Sequence, residues 1–201
     1  MPTLLSSPPS PFGRKVRIAI DVLGMADRIA VLTADTSNPD DPVRRHNPLG
    51  KIPTLLLDDG ETLFDSRVIV EYLDALDGRS LLIPAAGPER IGVLREQALA
   101  DGILDAALLQ VYERRYRPAE HHVESWLELQ RGKVSRALDA FSARLPVARP
   151  AGPSIGEITL ACALGYLDFR LAGSWRATHP ALVAWLDGFA QRVPAFGRTA
   201  P

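Results

Sequence analysis

The pattern of apolar residues changes character once along this chain, between about residues 77 and 88, and that change limits what it folds into. Before it, short apolar runs (Thr3-Leu4-Leu5, Ile29 to Leu32, Pro53 to Leu57) alternate with segments of helical period. After it, the periodicity is helical almost throughout: about Glu89 to Arg115, about His122 to Arg144, Ser154 to Leu171 and Pro180 to Arg192. The dividing stretch holds Gly78, Pro84, Gly87 and Pro88, the composition of a linker. The first part reads strand, helix, strand, short helical turn, hairpin, helix. Arg14 onward fills an apolar helical face with Val16, Ile18, Ala19 and Ile20, and Gly24 is a stop. Asp58-Asp59-Gly60 between two apolar runs is a hairpin signal, and Ser66 is placed to cap a helix through Leu76. A crossover unit followed by a hairpin and a helix describes a small mixed sheet with helices on it. The expected organisation is therefore an α/β domain over 1–78, a linker over 79–88 and an all-helical bundle over 89–201.

With 201 residues, the chain has room for one large domain or two small ones at about 150 residues per domain. The 23 Lys+Arg residues nearly balance 24 Asp+Glu, leaving a formal charge of −1. That argues against a general binder of nucleic acid or anionic membranes, which carries a basic excess. The longest apolar stretch, Ile158 to Leu167, is far short of the roughly 20 residues of a membrane span. No basic segment followed by an apolar one opens the chain, so no export signal is expected. A single cysteine, Cys162, makes no intrachain disulfide, and a reducing compartment, the cytoplasm, is the default. Cys162 stands in an apolar helix and reads as a core residue. The four histidines (His46, His121, His122, His179) show no metal-ligand spacing, and there is no Gly-rich phosphate loop.

Several positions carry chemistry. Ser10 lies between the first strand and the first helix, where a helix N-terminus favours an anion, although an ordinary cap has the same signature. Lys51 precedes Ile52-Pro53; taken alone, such a pair reads as trans, since only about 5–6% of X–Pro bonds are cis. Asp65-Ser66 stands at the start of the next helix. Gln97, Asp101 and Asp105 share one face of the first long helix, a solvated stripe on a plain reading. Tyr112, Arg115 and Tyr116 cluster near that helix's end, and aromatic rings beside a cation suit flat or anionic molecules. Ser154-Ile155-Gly156-Glu157 is a capping box.

Four of these segments, Ser10-Pro11-Phe12-Gly13-Arg14-Lys15-Val16-Arg17, Asn47-Pro48-Leu49-Gly50-Lys51-Ile52-Pro53, Leu63-Phe64-Asp65-Ser66 and Ser154-Ile155-Gly156-Glu157-Ile158, resemble in order and spacing the motifs of the glutathione transferase superfamily. The resemblance runs from near residue 1 to about 195. It implies a thioredoxin-like first domain joined to an all-α bundle, and a homodimer with a two-fold axis. It also implies that glutathione is a co-substrate, with no resident cofactor and no metal. Ser10 then donates a hydrogen bond to the glutathione sulfur and favours thiolate. Phe12 borders the tripeptide, Ile52 pairs with its backbone next to a cis Pro53, Lys51 reaches its glycine carboxylate, and Asp65 and Ser66 grip its γ-glutamyl end. Tyr112, Arg115 and Tyr116 fall where the family's pocket for a small electrophile forms, and Gln97, Asp101 and Asp105 where a dimer cleft is lined. Two departures stand out: Asp65 where many relatives have Glu, and Glu157 where the family usually has Asp. The implied activity is thiolate addition or substitution on a small electrophile; isomerase or lyase chemistry with glutathione, or binding without turnover, remain as alternatives.

Overall fold

In a computed structural model that describes residues 1–201, the first half builds a four-stranded sheet. Strand β1 (Thr3–Ser6) leads through a Pro-rich turn into helix α1 (Pro11–Val22). The helix starts at Pro11, a turn earlier than the apolar face that begins at Arg14. Its first turn is specified by capping: Ser10 is extended, its side chain accepts from the Gly13 amide, and Pro11 sits where its missing N–H costs nothing. Gly24, with φ of +71°, turns the chain back toward β2 (Ala30–Thr33). A short helix α2 (Val43–His46) follows, then the hairpin β3 (Thr54–Leu56) and β4 (Thr62–Leu63), and helix α3 (Ser66–Asp77). The sheet order is β2-β1-β3-β4; β1 runs parallel to β2 and antiparallel to β3. This is the crossover-plus-hairpin arrangement that the sequence predicts.

The second half is helical: α4 (Gly87–Tyr116), α5 (Glu124–Ala143), α6 (Ile155–Leu171), α7 (Pro180–Arg192) and a terminal turn α8 (Ala195–Arg198). The capping box at the head of α6 is formed: Ser154 Oγ accepts from the Glu157 amide at 3.1 Å, and Glu157 Oε2 accepts from the Ser154 amide at 2.9 Å. Glu157 also accepts from Arg192 of α7 at 3.0 Å, so a local cap doubles as an interhelical tie. Helix α6 is buried along almost its whole length and packs on α4. Cys162 is within this core, as expected, and burial pushes its thiol up to about 11.

The two halves share one apolar core of 39 buried residues, from Leu4 and Leu55 of the sheet to Ile158 and Leu164 of α6, so neither half buries its apolar surface alone. Polar ties cross the same boundary. Lys15 of α1 and Asp101 of α4 have no exposed side-chain surface and meet at 2.7 Å. Arg67 of α3 completes the group, its Nε 2.9 Å from the other Asp101 oxygen. This corrects the reading of Gln97, Asp101 and Asp105 as one solvated or cleft-lining stripe: Gln97 and Asp101 are buried between the halves, and only Asp105 is open. After α3, the buried Asp74 carboxylate accepts from the amides of Leu82 and Ile83 at 2.8 and 3.0 Å, and Leu82 accepts from the Ile155 amide at 2.9 Å. The connecting segment is thereby fixed to both halves. The chain end also returns to α1: Arg14 donates to the Phe196 carbonyl at 2.6 Å, and Arg198 pairs with Asp21 at 2.7 Å.

Candidate active site

A cleft of about 610 Å³ lies between the halves, with Ser10, Phe12, Lys51 and Ile52 on one side and Tyr112, Arg115 and Tyr116 on the other. Its floor begins where α1 approaches β1. A Cβ on Gly13 would lie 2.1 Å from the Ser6 hydroxyl oxygen, so glycine alone lets the helix start this close to the strand. Ser10 is held as the cap, accepting from the Gly13 amide at 3.1 Å, while its own amide donates to the Ser7 carbonyl. The cap uses an oxygen lone pair and leaves the hydroxyl proton uncommitted. The Phe12 amide, in the first turn, also has no acceptor within the chain. Two donors therefore stand at the positive end of a twelve-residue helix, facing the cleft.

The opposite rim of the first half is the loop from Asn47 to Thr54. Buried Asn47 organises it: its Nδ2 donates to the Lys51 carbonyl at 3.0 Å and to Thr54 Oγ1 at 3.1 Å, and its Oδ1 accepts from the Leu49 amide at 2.9 Å. The Ile52–Pro53 peptide is cis, the arrangement implied by the resemblance. Lys51 lies exposed on the cleft wall with no ion-pair partner.

Helices α4 and α6 supply the far wall. The Tyr112 and Tyr116 rings meet edge to face with centroids 5.2 Å apart, and the Arg115 guanidinium lies 5.8 Å from the Tyr112 ring. Burial, then the neighbouring Tyr116, raises the Tyr112 hydroxyl above its ordinary value, with Arg115 opposing. Tyr166 and Arg170 of α6 complete the wall. Asp105 is the carboxylate of the cleft; burial, then Asp101, holds it above the usual carboxylate range, while Arg67, Lys51 and Lys15 pull it down.

Seven of the ten predicted site residues thus line one cleft. Pro53, Asp65 and Ser66 stand outside its walls. The cap of α3 differs from the sequence expectation: Asp65 is the cap, its carboxylate accepting from the Arg67 amide at 2.9 Å, and Ser66 is the buried first residue of the helix. Tyr166 and Arg170 were missed because α6 reads as an apolar core helix. The available signal was their i, i+4 spacing at the polar end of that helix. No group of His, Cys, Asp and Glu is arranged to hold a metal, and no helix is long and apolar enough to cross a membrane.

A mixed sheet with a cis-proline loop, a helix N-terminus facing that loop, and a helical half closing the cleft together define the glutathione transferase fold. Residues 9–76 match the model of the glutathione S-transferase N-terminal domain and residues 124–188 that of the C-terminal domain. The chain belongs to the glutathione S-transferase family. It is 36% identical to the GST-like protein YibF of Escherichia coli K12 over 98% of both chains. A glutathione transferase family member from Pseudomonas fluorescens Pf-5, solved with bound glutathione, is 41% identical over 100% of this chain and 99% of its own, with a TM-score of 0.90. A glutathione transferase family member from the same organism, with bound S-(propanoic acid)-glutathione, is 42% identical over the full length of both chains, with a TM-score of 0.89. A glutathione S-transferase from Methylobacillus flagellatus KT with glutathione bound gives 38%, full coverage of both chains and 0.92.

Proposed function

We propose that this protein is a glutathione-dependent transferase that activates the tripeptide's thiol at Ser10 and joins it to a small electrophile in the cleft. One observation carries the reading: the Ser10 hydroxyl keeps its proton while serving as the α1 cap, and it opens on a cleft whose far wall is aromatic and cationic. The glutathione-bound relatives support it, and the S-(propanoic acid)-glutathione of one of them supports a cleft that accommodates a group on the sulfur.

The chemistry follows from charge. A free thiol titrates near about 8.5, so most of it is protonated at neutral pH. A hydroxyl donor, the Phe12 amide and the helix end all favour the anionic sulfur, and one pKa unit corresponds to about 1.4 kcal/mol. The sulfur then forms a bond to the electrophilic carbon, and the displaced pair leaves with a leaving group or moves onto the acceptor. Ser10 acts as donor, not nucleophile, because no base adjoins its hydroxyl. Glutathione is held by the unit 1–78: Lys51 takes a carboxylate, Ile52 pairs with the peptide backbone beside Pro53, Phe12 borders it, and Asp65 and Ser66 take the γ-glutamyl end. The unit 89–201 supplies the electrophile wall through Tyr112, Arg115 and Tyr116. The protein works in the cytoplasm as a two-fold homodimer, which sedimentation at twice 21.9 kDa would bear out and a 21.9 kDa species at micromolar concentration would refute.

Calorimetry with millimolar glutathione, paired with turnover of glutathione and 1-chloro-2,4-dinitrobenzene, tests the reading. Heat of binding and catalysed conjugation are expected. Binding without turnover of any electrophile would make the protein a binding module, and the absence of binding would end the assignment.

A further inference from the structure

We infer that the electrophile of this cleft carries a carboxylate, received by Arg115 and Arg170; the inference rests on the transferase reading above and names its substrate class. The two guanidinium groups come from different helices, α4 and α6, and both line the cleft. Tyr166 lines the same wall beside them. Neither has a carboxylate partner: the Arg115 guanidinium lies 5.8 Å from the Tyr112 ring, and that of Arg170 lies 4.1 Å from the Phe169 ring with its buried Nε unpaired. Of the other cations near the cleft, Arg44 donates to the Asn38 and Thr36 carbonyls, Arg117 pairs with Glu113 and Lys15 with Asp101, while Lys51 stands on the opposite wall, where the transferase reading gives it to glutathione. The carboxylate within the cleft, Asp105, forms no ion pair with either arginine.

A guanidinium without a carboxylate partner beside apolar and aromatic surface is a receptor for a planar anion, which it binds through paired N–H donors. Tyr112, Tyr116 and Leu108 would take the body of such a molecule and the two arginines its carboxylate. In the substitution step the glutathione sulfur, as thiolate, forms the C–S bond. The C–Cl bond of a chloroarene breaks with both electrons leaving as chloride, the thiol proton has already passed to solvent, and the carboxylate keeps its charge. Arg170 also borders a second hollow of about 450 Å³ that contains Arg114, whereas Arg115 borders only the cleft. The two arginines adjacent on α4 therefore separate a specific effect from a general one.

The test compares 4-chloro-3,5-dinitrobenzoate with its methyl ester, each kcat/KM divided by the uncatalysed rate constant. The acid should be favoured about tenfold, the scale of one charge-assisted contact at a partly solvated site. Arg115→Gln and Arg170→Gln should each reduce that ratio several-fold, the double variant should bring it close to one, and Arg170→Lys should restore part of it. Arg114→Gln should retain the preference. Glutathione calorimetry on every variant verifies that it is folded. Equal handling of acid and ester, an unchanged ratio in the double variant, or an equal loss in Arg114→Gln would each overturn the inference while leaving the transferase reading in place. Turnover of neither probe would remove that reading and the inference together.

Discussion

Lysine loses more than most residues when it is buried, through its charge and its flexible stem, so a wholly buried Lys15 needs a partner of matching charge. Asp101 is that partner, and each makes the burial of the other tolerable. Removing one member should therefore cost more than removing both. Lys15→Met leaves the Asp101 carboxylate with Arg67 alone, whose side chain is 53% exposed. Urea unfolding should show a loss of about 3 kcal/mol, with much of it recovered in the Lys15→Met/Asp101→Leu double variant. A loss under about 1 kcal/mol would mean that the pair does not hold the halves together. Lys15 and Asp101 are 86 positions apart, and their pairing has no local signature in the sequence. Asn47 illustrates the same limit: its motif was legible, but the three hydrogen bonds that make it the frame of the cis-proline loop were not.

Elements were most legible where local chemistry writes their ends. The Asp-Gly hairpin, the box at Ser154 and Glu157, and the Gly24 stop all formed as expected. The Ser10 cap signature marks the start of α1 at Pro11, ahead of the apolar face from Arg14; where two caps compete, position is lost, and Ser66 was a plausible cap until Asp65 took the role. Packing between elements is harder still to read, and Gly156 in the first turn of α6 shows why. Glycine to alanine within a helix ordinarily stabilises by up to about 1 kcal/mol. Here a Cβ would meet the Glu96 side chain at 2.7 and 2.8 Å and the Val93 carbonyl at 3.2 Å, across the α4–α6 contact. The backbone oxygen cannot swing aside as a side chain does. Gly156→Ala should therefore reverse the usual sign and destabilise by about 1–3 kcal/mol, as overpacking does. A variant whose thermal midpoint is unchanged or raised would show that the two helices part easily.

At the scale of the whole molecule, one core spans a sheet half and a helical half, and the cleft exists because the two meet. The two-part layout and the motif order were legible from one sequence, since each depends on short-range patterning. The joint wall was legible only in part: Tyr112, Arg115 and Tyr116 announce themselves as a cluster, whereas Tyr166 and Arg170 are hidden at the end of a core helix. The proposed function turns on what this architecture does to a bound thiol. Ultraviolet titration of the thiolate in the glutathione complex measures that directly, in the parent protein and in Ser10→Ala. The parent complex should titrate about one unit or more below the ordinary thiol value near 8.5, and Ser10→Ala should move it back up while glutathione still binds. A bound thiol that titrates at the same pH with and without the Ser10 hydroxyl would contradict the account.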